Sequence, residues 1–138
     1  MISEVIDAIV TRLSDASLGV PVYAERVNPV DGSCVIVHTG GDDVEEEYRD
    51  ESGYILEHQV LVSVYFKDTT GEDRSGFHSL VNAVKAPLAV YRDTMEGTAY
   101  RFKYQGSVMV PPSNDNASEI YRIRQLRYSA TTQEVLSE

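Results

Sequence analysis

Ile2, Val5, Ile6, Ile9, Val10 and Leu13 recur at helical spacing, while Ser3, Asp7 and Arg12 fall off that stripe. One apolar face per turn predicts an amphipathic helix that ends near Leu18-Gly19, where glycine supplies a stop. The period then changes. Residues 22–27 read as a short strand, Asn-Pro-Val-Asp-Gly (28–32) is turn chemistry, and CVIVH (34–38) is an apolar run suited to a buried strand. Beyond an acidic stretch lies YILEHQVLVSVYFKD, in which His58, Val60, Val62, Val64 and Phe66 alternate with Gln59, Leu61, Ser63, Tyr65 and Lys67. That alternation predicts a long strand with one face committed to the core.

A second helix is predicted from about Ser75, with Phe77, Leu80, Val81, Val84 and Leu88 as its stripe. Pro87 lacks an N–H and should kink or end it nearby. In AYRFKYQ, Tyr100, Phe102 and Tyr104 alternate with Arg101, Lys103 and Gln105. The turn-rich PPSNDNAS separates that strand from a last one, SEIYRIRQLRYSATTQEV. The order α-β-β-β-α-β-β predicts an α+β fold, a mostly antiparallel sheet with two helices packed against it. With 138 residues and no linker-like stretch, the chain reads as a single domain, 1–138.

Charge adds an asymmetry to this picture. Residues 1–60 hold 13 acids against 3 bases, and residues 61–138 hold 9 of each, so the net charge of −10 belongs to the first half. Affinity for phosphate comes from lysine and arginine displacing counterions, so nucleic acid and acidic membranes are both disfavoured as partners. No segment is long and apolar enough to span a bilayer, and Glu4 and Asp7 stand where a signal peptide would carry positive charge. The single cysteine, Cys34, lies within an apolar run and reads as a small buried hydrophobe, consistent with a cytosolic protein.

Candidate chemistry centres on residues 40–53, GGDDVEEEYRDESG, with seven carboxylates and one arginine. GGDD resembles the paired aspartates of two-metal polymerases, but those need a far larger chain and a basic template groove. An EF-hand needs flanking helices and a fixed ligand order, and here the flanks are strands. His38, His58 and His78 sit on or beside different elements without metal-ligand spacing and read as packed or surface histidines. No nucleophile elbow, phosphate-binding glycine loop or dinucleotide fingerprint occurs. We therefore expect no enzyme, no catalytic or metal-binding residues and no cofactor.

A binding or assembly role fits better. In the last strand, Ile120, Arg122, Arg124, Leu126 and Tyr128 share one face, and Tyr121, Ile123, Gln125 and Arg127 the other. Neither face is purely apolar or purely polar, a mixture that suits a protein contact. An edge strand with its arginines in solvent would read the same way. The acidic stretch is expected to be a long loop, or a hairpin arm extending its flanking strands, and to be mobile until assembly orders it.

The helix ISEVIDAIVTRL, the segment VYAERVNPVDGSCVIVHTG and the charged loop, followed by ILEHQVLVSVYFKD, FHSLVNAVKAPLAV and YRIRQLRYSATTQEVL, resemble the tail terminator proteins of long-tailed bacteriophages. The resemblance spans nearly the whole chain as size and element order. Head–tail connector and tail completion proteins resemble it almost as well. It implies a structural virion protein at the tail–head junction, assembled in the host cytoplasm. Six copies would form a ring that caps the tail tube, ends its polymerisation and joins the head-side connector. DNA would be only passing cargo, and an acidic lumen would keep the duplex from sticking. The alternatives are a neck connector or a small-ligand-binding or metal-dependent enzyme domain.

A head-to-tail ring joins two different surfaces of one chain. The expected contacts, with a neighbour or the lumen, are Asp42, Asp43, Glu45, Glu46, Glu47, Asp50 and Glu51 on the acidic side. Arg101, Lys103, Arg122, Arg124 and Arg127 on the closing strands form the basic side. On this reading, reversing Arg122 and Arg124 blocks assembly and leaves the monomer folded.

Overall fold

The structure, a computed structural model, describes residues 2–25, 32–47, 53–68, 72–89, 101–110 and 121–135; the side chains of 2–3, 41–47, 53–55, 101 and 133–135 lie outside the description. Seven elements follow in the order α1 (Ile2–Asp15), β1 (Val22–Ala24), β2 (Cys34–Glu47), β3 (Gly53–Lys67), α2 (Arg74–Leu88), β4 (Arg101–Val110) and β5 (Tyr121–Val135). The strands form one sheet in the order β1-β2-β3-β5-β4. β1 runs parallel to β2, and the other three pairings are antiparallel. This is the α+β arrangement that the hydrophobic pattern predicts.

Period-two burial builds the core. Val35 pairs with Val64, Val37 with Val62, and Val62 in turn with Leu126. Val35, Val37, Val60, Val62, Val64 and Leu126 are all fully buried beneath Val5, Ile9 and Leu13 of α1 and Phe77, Val84 and Leu88 of α2. Each such side chain contributes about 1.5–3 kcal/mol relative to exposure. Both helices lie on this face, so His58, Val60, Val62 and Val64 are buried as the alternation predicts.

The first helix ends earlier than expected, and the second starts within one residue of the expected Ser75. α1 ends at Asp15, before Leu18-Gly19, because Ser17 adopts a left-handed φ of 55° and takes the chain out of helical geometry. α2 begins at Arg74, with Asp73 as its cap: Gly76 N–H donates to Asp73 Oδ1 at 3.0 Å. A Cβ at Gly76 would lie 2.5 Å from Asp73 Oδ2, so this cap depends on glycine there. Pro87 falls in the last turn and the helix ends one residue later.

The largest difference concerns the acidic stretch. β2 does not stop at His38 but runs to Glu47, paired with β3 as far as Glu47–Tyr54. Register shifts between Thr39 and Gly41 and between Val44 and Glu46 absorb the mismatch. β3 is held on its other side by β5 without interruption from Gly53–Val135 to Lys67–Tyr121. The acidic segment is therefore strand through Glu47, the hairpin arm rather than the loop. Its ladder bonds to β3 satisfy the backbone whatever the side chains carry. Residues 48–52, including Asp50 and Glu51, lie outside the described residues.

Candidate interaction surface

β4 is the last strand of the sheet, and among the described residues the exposed large hydrophobics all fall on it: Tyr104 (44%), Val108 (39%) and Met109 (45%). A bulge explains why both of its faces show apolar groups. Tyr104 pairs with Tyr128, but the next partner of β5, Arg127, faces Gly106, which has a φ of 108°. One residue is skipped, so the alternation flips. Phe102 and Tyr104 face the helix side before the bulge, and Val108 turns to the opposite face after it.

A groove of about 410 Å³ opens where the end of α2 meets this strand. Lys85, Leu88 and Ala89 form one wall, with Phe102, Lys103, Tyr104 and Tyr128 opposite. Phe102 stacks on Tyr128 with centroids 4.9 Å apart and planes 12° apart, and Tyr104 tilts against Tyr128 at 5.3 Å. Lys85 Nζ lies 4.8 Å from the centre of the Tyr104 ring, within cation–π range. Burial, with a smaller contribution from Tyr104, raises the Tyr128 hydroxyl well above the usual phenol range, so it stays protonated. The groove has an aromatic floor and the Lys85 ammonium at its lip. α2 and β4 together hold Arg74, Lys85, Arg101 and Lys103 and no acid.

The opposite face of the sheet carries no helix among the described elements. His38 Nε2 lies 2.9 Å from Ser63 Oγ, and Gln125 Nε2 donates to the same oxygen at 3.5 Å. Burial pulls His38 below its ordinary value, partly opposed by Glu25. His58 is buried and bonded to Thr132 Oγ1 at 2.6 Å, while His78 is exposed on α2. The three histidines therefore remain on separate elements. Cys34 is buried, as its apolar setting predicts. Among the described residues, no group of three or more His, Cys, Asp or Glu is placed to hold a metal ion, and no helix is long and apolar enough to cross a membrane.

The five basic candidates do not form one patch. Lys103 and Arg127 are exposed on the helix-free face, joined diagonally across the bulge. Arg122 and Arg124 lie on the helix side and are engaged within the chain. Arg122 Nε donates to Asp68 Oδ2 at 2.9 Å, and Arg124 donates to Ser107 Oγ at 2.8 Å. Asp68 also accepts from the Asp73 N–H at 3.1 Å and so ties β5 to the start of α2. Reversing Arg122 would break that tie inside the monomer, so it is not the silent surface change that the strand pattern suggests. Arg101 opens β4 opposite Thr131, and Asp42, Asp43, Glu45, Glu46 and Glu47 lie along β2; these six side chains are outside the description.

Sequence reasoning missed Lys85, Val108 and Met109. The available signal was Gly106, since an isolated glycine in a strand marks a bulge and a flip of faces.

No family model and no curated protein matches the sequence. Among solved structures, a chain in the virion of a native gene transfer agent particle is 19% identical, covering 91% of this chain and 92% of its own, with a TM-score of 0.47. A second solved protein is 13% identical over 100% of this chain and 99% of its own, with a TM-score of 0.53. The second likeness shows a shared fold and nothing of activity.

Proposed function

We propose that this chain is a structural virion protein that caps a phage tail tube as a hexameric ring and joins the tube to the head-side connector. The observation that carries this reading is the placement of Tyr104, Val108 and Met109 on the last strand of the sheet. An extended edge with exposed apolar groups invites pairing with another chain, and in a monomer it is a liability. The acidic arm of β2 supplies a second, different surface, and two unlike surfaces on one chain generate a ring when the rotation closes. The element order resembles that of tail terminators, and the residues that line the groove include no nucleophile paired with a base.

The test is functional. Added to polymerising tail tube protein, the chain should cap tube ends and shorten the tubes in electron micrographs. A neck connector would bind the head-side ring and leave tube length unchanged. Tubes that grow unaltered at stoichiometric protein would refute the terminator reading. The aromatic groove beside Lys85 favours a second reading, a site for a small anionic aromatic ligand. That reading requires a monomer that saturates with such a ligand.

A further inference from the structure

We infer that the groove between the end of α2 and β4 receives the acidic arm of β2 from a second copy of this chain, with the two strands meeting edge to edge. The inference rests on the ring reading above and names which surfaces meet. Charge is the first observation behind it. Residues 40–47 hold five acids and no base, whereas α2 and β4 hold four bases and no acid. Of these bases, Lys85 and Lys103 are the ones beside the groove, which holds no acid, so the two surfaces are opposite in sign.

The two edges also match in kind. β1 pairs with β2 only at Val35, Ile36 and Val37. From Gly40 to Glu47, no described strand lies on the outer side of β2, just as none lies beyond β4. Strand addition at such edges gives affinity through the main chain, and the flanking side chains set register. Tyr104 and Met109 lie on the strand that would be covered, Lys85 stands at the lip of the groove, and Lys103 lies on the other face of that strand, so the two lysines flank an added strand from both sides.

The experiment uses the full chain and reads mass in solution. Wild type should form the ring, and Lys85→Glu with Lys103→Glu should weaken assembly by at least about tenfold, since unlike charges set both encounter and register. Its melting curve should stay that of a folded protein. Adding Asp42→Lys, Asp43→Lys and Glu46→Lys to the same chain should restore the ring. In the restored ring, amides of 101–110 should exchange more slowly than in the unassembled double variant. A wild type that is monomeric at every concentration would overturn the ring reading and this inference with it. A wild-type ring that survives the lysine reversal would overturn the inference alone. Assembly that is lost and not restored by reversing the arm would overturn the arm as occupant and leave it to the lumen.

Discussion

Replacing Arg122 with glutamate should destabilise the monomer itself. The Asp68 side chain is 1% exposed and Arg122 28%, with Arg122 Nε 2.9 Å from Asp68 Oδ2. Removing one partner of a buried pair costs about 3–5 kcal/mol, because the other charge remains in a low-dielectric site. Partial exposure of Arg122 moves the expected loss to about 3 kcal/mol, and the new carboxylate facing Asp68 opposes any recovery. For a chain of this size that corresponds to a fall in Tm of about 10 °C. Thermal and urea melts followed by circular dichroism, at a concentration too low for assembly, would measure it. Lys103→Glu is the control: that lysine is exposed, and its reversal should change stability by no more than about 0.5 kcal/mol. An Arg122→Glu monomer that melts with wild type would refute the role given to the Asp68 pair. The contrast decides which basic residues can report on assembly.

Phe77→Ala removes a fully buried ring packed 6.0 Å from Phe66 and should cost about 3–5 kcal/mol in a urea melt; a loss below about 1 kcal/mol would mean that α2 is not seated on the sheet. His38 is held below its ordinary 6.5, so the unfolded chain binds its proton first. Its contribution to stability is complete above that value and is lost as pH falls through the folded-state value; His38→Gln should flatten that part of the profile, and an unchanged profile would refute the assignment. Metal analysis of purified protein should find no stoichiometric zinc, and a divalent ion should not raise Tm; a large rise would point to a metal site.

The parts of the fold that were legible were those written in side-chain period. Val60, Val62 and Val64 alternate and are buried, and Phe77, Val84 and Leu88 follow a helical stripe and are buried. The extent of β2 was not legible, because the ladder to β3 is a backbone interaction and Asp42 to Glu47 gave no hydrophobic alternation to reveal it. The start of α2 near Ser75 is legible, but its cap is not, because Asp73 acts through one hydrogen bond from the Gly76 N–H. Alternation along each strand is the only signal that places the basic candidates on a face. That reading could not show that Asp68 claims Arg122 or that the bulge before Gly106 changes which residues share a face. Lys85 joins the groove only through the packing of α2 beside β4, a contact between segments distant in sequence.

If copies of this chain join through unlike surfaces, they close into a ring of fixed mass. Light scattering on purified protein across a range of concentrations and ionic strengths tests it most directly. A single closed species of about six chain masses is expected, weakening as ionic strength rises past about 0.15 M, where the screening length falls to about 8 Å. A mass of one chain at every concentration and at low salt would contradict it.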